Sequence, residues 1–409
     1  MQRPSNTHTV LTGRRPAADI RGRAAGPWPG SPGDAVVDPG ALLRSSAAEC
    51  GRDAPPPRFR AELERLAETV NAEARLTPDG AASVRDRLVA ALSLQWRLAA
   101  LLRDVPEVSD AALPAPVFIS GLPGSGTSLL QNLLLEHPDV DSPARWELLD
   151  PAAPAGEPAA RRSLIGRARA HTETPRGAAH RGPGRLRGAT RPGSCHRLLT
   201  NAFQSPALGL QLRVPGYWQW LESRDLTAAY AFHREQLQAI TFRIPVRTLV
   251  LRDPFHAAYV RDLLRVYPDA RVIRLHRDPS AVVAFTAALS TALRGSVSAE
   301  VDPVEVGREW TEHVERHLDR AAEAVRTVGE ERLLDIRHDE LVSDPVGVAR
   351  QVLQFIGVEP VPSVLERVAG LARSTADSAA ARPPRAADFG LSARALRARF
   401  SAYRAAYQV

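Results

Sequence analysis

The sequence predicts an α/β fold: a parallel sheet flanked by helices, of the phosphate-loop kind, with an N-terminal helical element. Three observations carry this. From Val117 onward, short apolar or β-branched runs (VFIS, RTLVLRDP, ARVIRLHRDP, ERLLDIRHDEL) alternate with stretches of helical periodicity. The first run passes through a glycine-rich turn straight into the helix SLLQNLLLEH. The second and third runs, each ending in Asp-Pro, are joined by the helical AAYVRDLLRVYP, so they read as a βαβ unit with parallel strands.

Taken in order, residues 1–57 are rich in Ala, Pro, Gly and Arg, lack sustained periodicity and read as a disordered lead-in. Residues 58–105 hold two amphipathic helices, FRAELERLAETVNAEA and VRDRLVAALSLQWRLAALL, separated by the turn LTPDG. The α/β domain then runs from 106 to 409. It contains the fourth strand ERLLDIRHDEL, the long amphipathic helix VGREWTEHVERHLDRAAEAVRTVG before it and DPVGVARQVLQFIGV after it. Within it, about 161–194 is a basic, disordered loop. Its centre, 171–193, carries a single Leu and no other large aliphatic or aromatic residue, and so has no apolar face to bury.

Composition narrows the function classes. The 409 residues are 44% hydrophobic, enough for a sizeable core. No apolar run approaches the ~18 residues of a membrane span, and the N-terminus lacks the apolar region of a secretory signal. Cys50 and Cys195 lie far apart, with neither a disulfide framework nor metal-ligand spacing. A soluble cytoplasmic protein is the expectation. The net charge of +7 is local: ten Arg against one Glu between Arg161 and Arg197 give +9, leaving about −2 elsewhere. Nucleic-acid binding by a folded basic face is therefore disfavoured.

The glycine turn is the centre of the chemistry. In Gly121-Leu-Pro123-Gly124-Ser125-Gly126-Thr127-Ser128 the first and last Gly are spaced as in a nucleotide phosphate loop. Such a turn lets backbone N–H groups converge on an anion at a helix N-terminus, and Thr127 and Ser128 add hydroxyl donors. The Lys that a nucleoside-triphosphate loop carries after its last Gly is replaced by Thr127. A small-molecule kinase is accordingly the weaker reading.

The pattern strand–GLPxSGT[ST]–helix resembles the 5′-phosphosulfate loop of sulfotransferases that use 3′-phosphoadenosine 5′-phosphosulfate (PAPS). EHPDVDSPARWELLDP, CHRLL, YWQWLES, LRDPFH, PDARVIRLHRDP, RHDELVSDP with FIGV, and DFGLS…RFSAYRAAY come after it in the family's order. The chain is most similar to bacterial sulfotransferases related to the tyrosylprotein sulfotransferases. The resemblance implies a sulfotransferase fold, PAPS as cosubstrate, no metal, and a hydroxyl acceptor that is a small molecule, lipid, glycan or peptide. It further implies that residues 121–128 and His338 surround the donor and that Arg277 holds its 3′-phosphate. Arg252 stabilises charge on the leaving group, and Glu147 or, in competition, His256 takes the acceptor proton. Three positions depart from the pattern: Gly124 stands where the family has Arg or Lys, Phe285 where it has Ser, and His338 where an aromatic is often found before the acidic pair. A degenerate, nucleotide-binding member without turnover is the rival that the first two departures raise.

Overall fold

Strands β1 (Val117–Ser120), β2 (Val140–Asp141), β3 (Thr248–Arg252), β4 (Arg271–His276) and β5 (Leu333–Arg337) form one parallel sheet in the order β2-β3-β1-β4-β5. The structure is a computed structural model and describes residues 36–50, 58–153, 163, 165–166, 188–242, 246–376 and 383–409. Its helices in the first half are α1 (Pro39–Cys50), α2 (Arg60–Glu73), α3 (Pro78–Asp104), α4 (Thr127–Leu134), α5 (Arg145–Leu149), α6 (His196–Thr200), α7 (Ala207–Gln211), α8 (Pro215–Glu222) and α9 (Thr227–Thr241). The second half adds α10 (Val260–Val266), α11 (Pro279–Arg294), α12 (Pro303–Val325), α13 (His338–Ser343), α14 (Pro345–Phe355), α15 (Pro362–Ala376), α16 (Ala393–Arg399) and α17 (Ser401–Tyr407). Among the described residues no helix is long and apolar enough to cross a membrane.

The strands read as continuous apolar runs because both faces of the sheet are covered. On one face Phe118, Leu249, Leu251 and Val272 join a core with α1, α2, α3, α6, α8 and α9. On the other, Val117, Ile119, Val250 and Ile273 pack with α4, α14 and α15. A third cluster joins Trp218 of α8, Trp310 of α12 and α11 to Phe389, Leu396 and Phe400 near the C-terminus.

Helix starts obey the Asp-Pro and Thr-Pro signals. The side chains of Thr77, Asp278, Asp302 and Asp344 cap α3, α11, α12 and α14, each with Pro at the first helical position. Each cap is worth about 1 kcal/mol.

The βαβ reading holds, with one strand inserted, and two other expectations need correction. β3 and β4 are parallel but not neighbours, since β1 lies between them: Ile119 pairs with Arg252 on one side and Ile273 on the other. The lead-in is not formless throughout, because residues 39–50 form α1. Alone, 12 residues are marginal as a helix. Burial of Leu42 and Leu43, at about 1.5–3 kcal/mol each, holds it. The Asn71 side chain also brackets Val37 through both backbone groups, at 2.8 and 2.9 Å. Residues 1–35 and 51–57 lie outside the described residues.

Most of the basic loop, 167–187, also lies outside them, but its end does not. Arg145 and Trp146 donate their N–H groups to the carbonyls of Arg191 and Ala189, and Ala144 bridges Pro192. The stretch 188–193 is thus laid along the start of α5.

Candidate functional site

β1 is the central strand. The chain continues from it to β2 and β3 on one side and later to β4 and β5 on the other. That reversal opens a crevice at the carboxyl ends of the strands, where open α/β sheets bind ligands. The glycine turn fills its floor.

Gly121 is pressed against β4, and a Cβ there would lie 2.8 Å from the Leu275 carbonyl oxygen. Gly124 and Gly126 have φ of 90° and 93°, conformations that favour glycine. The Ser125 N–H closes the turn on the Leu122 carbonyl at 3.0 Å, and Gly126 caps α4. Pro123, Ser125 and Thr127 are buried, while Ser128 is exposed. The turn therefore presents the N-terminus of α4 to the crevice, an arrangement suited to an anion.

A guanidinium flanks the turn on each side. Arg252, the last residue of β3, is half-buried, and its Nε donates to Gln131 Oε1 of α4 at 3.0 Å. Burial, together with Arg145, lowers its pKa to about 10, so it stays charged at neutral pH. Arg277, just past β4, donates to the Gly124 carbonyl at 2.5 Å. Burial lowers its pKa too. Neither makes an ion pair among the described residues: Asp253 accepts the Phe255 N–H at 2.7 Å, while Asp278 caps α11 and meets Arg404 at 3.4 Å. His338 opens α13 beside the turn, with Nδ1 3.3 Å from Asp339; burial and the nearby Arg277 hold its pKa down.

Glu147 is the third residue of α5, and its Oε2 accepts the Ala144 N–H at 2.7 Å. Gln131 ties this region together, reaching Ser142 Oγ at 2.9 Å and the Gly193 carbonyl at 3.4 Å as well as Arg252.

His256 is not a wall of the crevice. It is 1% exposed, with Nδ1 2.8 Å from the Tyr230 hydroxyl and Nε2 3.0 Å from Cys195 Sγ. Burial, with His233 and His196, pushes its pKa well below the usual value. Desolvation thus removes the near-neutral titration that suits an accessible histidine to act as a base.

Two of the departures from the family pattern, Gly124 and Phe285, meet in space. A Cβ on Gly124 would lie 2.8 Å from Phe285 Cγ of α11, so the Phe285 ring fills the room that a larger residue at 124 would need.

Sequence reasoning missed a cleft beside the turn, lined by Gly121, Ser125, Arg277, His317, Tyr403 and Tyr407 among others. Tyr407 stacks on His276 at 3.8 Å. The His276 nitrogens meet the Tyr403 hydroxyl at 2.5 Å and Asp335 at 2.9 Å. Burial lowers the pKa of His317 to about 3, so it is neutral in the cleft. The closing tyrosines stand in the sequence as RFSAYRAAY, with nothing local to say what they cover.

Comparison with known proteins accords with this architecture. Residues 116–362 match the model of the sulfotransferase family. The omega-hydroxy-beta-dihydromenaquinone-9 sulfotransferase Stf3 of Mycobacterium bovis is 29% identical over 127 residues, 30% of this chain and 32% of that protein. The match thus spans about a third of the length of this curated relative. Among solved structures, sulfotransferase STF9 from Mycobacterium avium superposes with a TM-score of 0.79 at 25% identity, covering 90% of this chain and 96% of that one. STF1 from Mycobacterium tuberculosis H37Rv gives 0.76 at 24%, covering 90% and 99%.

Proposed function

The chain belongs to the sulfotransferase family, and from that premise we propose that it moves a sulfuryl group from PAPS to a hydroxyl of a small-molecule, lipid, glycan or peptide acceptor. The observation that carries the proposal is the pairing of the turn 121–128 with two arginines outside any ion pair among the described residues, one on each flank. The residues fit the donor. The α4 N-terminus suits the phosphosulfate, with Thr127 and Ser128 as hydroxyl donors, and Arg277 suits the 3′-phosphate. The bound donor would supply the sulfuryl group itself.

The chain's own contribution is positioning and charge. Arg252 remains protonated and, held by Gln131, offers fixed positive charge where negative charge develops. Guanidinium does not give up its proton, so Arg252 acts by charge and not as an acid. Glu147 takes the acceptor proton, its carboxylate held in place by the Ala144 N–H. A hydroxyl acceptor agrees with the name of the Mycobacterium bovis relative, a sulfotransferase for an omega-hydroxy menaquinone derivative.

One observation favours a second reading, nucleotide binding without turnover: Gly124 and Phe285 leave the donor site without a cation and a hydroxyl that the family pattern carries there. Transfer of radiolabelled sulfate from PAPS to a generic phenol decides between them. Labelled product supports the transferase. Tight binding of 3′,5′-bisphosphoadenosine with no product from phenol, alcohol or sugar acceptors supports the second reading.

A further inference from the structure

Beneath Arg252 lies a polar cluster that the transfer chemistry does not use. Cys195, His233 and His256 come from the start of α6, from α9 and from the turn His256–Tyr259. All three are buried in the core, His233 to 0% exposure. One ligand atom from each lies within 4.8 Å of the others. Cys195 Sγ meets His256 Nε2 at 3.0 Å.

The tyrosines around the cluster are arranged as supports. The Tyr230 hydroxyl meets His256 Nδ1 and the Tyr267 hydroxyl meets His233 Nδ1, both at 2.8 Å. Each pairing occupies Nδ1, which leaves His256 Nε2 to Cys195 and His233 Nε2 as the nitrogen available to a ligand. This is how metal-binding imidazoles are oriented by outer groups. His233 Nε2 has no hydrogen-bond partner among the described residues, although it is fully buried. Such an orphan costs about 1–3 kcal/mol unless something accepts its lone pair or its proton.

We propose that Cys195, His233 and His256 bind one zinc ion. Thiolate and imidazole are the donors zinc prefers, and tetrahedral closure at Zn–S ≈ 2.3 Å and Zn–N ≈ 2.0–2.1 Å requires shifts of about 1 Å or less from these positions. The Arg252 carbonyl, 3.2 Å from Cys195 Sγ, supplies an oxygen for the fourth position. Binding converts the thiol to thiolate, and its proton leaves to solvent. Both histidines are held neutral by burial, which is their ligating form. Asp253, whose Oδ2 also lacks a partner among the described residues, gives up its proton as the ion binds and then balances the added charge. The ion ties α6 and α9 to the end of β3, and so fixes the backbone from which Arg252 projects.

Cobalt added to chelator-treated full-length protein tests this. The expected result is one cobalt per chain, with a thiolate-to-cobalt charge-transfer band that zinc bleaches and a higher thermal unfolding midpoint. Cys50→Ser keeps the band and Cys195→Ser loses it. Tyr267→Phe, which removes only the bond orienting His233, weakens cobalt binding roughly 10–100-fold. A folded wild-type chain that shows no band, or a band that survives Cys195→Ser, overturns the site. The wild-type titration stands even if a variant fails to fold.

Discussion

The tripeptide Arg-Asp-Pro occurs at the ends of β3 and β4, and the two copies do different things. After β4, Asp278 accepts the Ser280 N–H at 2.8 Å and launches the 16-residue α11, leaving Arg277 to reach across to the glycine turn. After β3, Asp253 is 1% exposed, accepts the Phe255 N–H and leads only into a short 3-10 turn. Arg252 there is drawn toward α4, and its carbonyl is held by the Cys195 N–H at 2.8 Å. The same three residues make a helix start on one side of β1 and a buried anchor on the other. The adjoining residues, helix-forming SAVVAF after β4 and aromatic FHAAY after β3, select the outcome.

The sharpest way to separate the two arginines is to remove them singly. Arg252→Ala is expected to lower turnover ~10²–10³-fold, the usual loss when a preorganised donor to developing charge is deleted. Binding of 3′,5′-bisphosphoadenosine should change little. Equal losses in turnover and product binding would make Arg252 a simple binding residue.

Arg277→Ala should act on the ground state instead. Losing a charge-assisted bond to phosphate costs about 1.5–3 kcal/mol. The preference for 3′,5′-bisphosphoadenosine over 5′-AMP should then largely disappear in titration calorimetry.

The buried Asp253 ties stability to pH. Burial raises the Asp253 pKa from 3.8 to about 7. Between those values the unfolded chain has released a proton that the folded chain still holds. Stability therefore falls as pH rises through this window, by about 2 kcal/mol from pH 5 to pH 7. Asp253→Asn keeps an acceptor for the Phe255 N–H and should flatten that slope in denaturant titrations at the two pH values. An unchanged slope would place the charge elsewhere.

The smallest effect concerns Gly124. Restoring a cation there looks from sequence like a gain of a phosphate donor. With φ at 90° and Phe285 against the site, Gly124→Arg is instead expected to cost about 1–2 kcal/mol of loop stability and to weaken nucleotide binding. Adding Phe285→Ser should recover part of the loss. Faster turnover from Gly124→Arg alone would show that the turn relaxes more easily than its geometry implies.

Legibility from sequence tracks how local each feature is. The β1–turn–α4 unit is readable because strand, glycines and helix are contiguous, as are the Asp and Thr caps. Insertion of β1 between β3 and β4 is not, since the partner lies more than a hundred residues away. Helix α1 hides in a Pro- and Gly-rich context, although GALLRSSAAEC carries its buried Leu42, Leu43 and Ala47. His256 misleads because a match to a family's sequence pattern says nothing about side-chain burial. Cys195, His233 and His256 have no motif spacing at all; only the packing of three separate elements joins them.

The most direct test of the donor site is titration of the full-length protein with 3′,5′-bisphosphoadenosine and, in parallel, with ATP and magnesium. A PAPS-using sulfotransferase with Arg277 on the 3′-phosphate and no loop lysine binds the bisphosphate tightly without metal and ATP–magnesium weakly. Tighter, magnesium-dependent binding of ATP would contradict the assignment and point to a kinase.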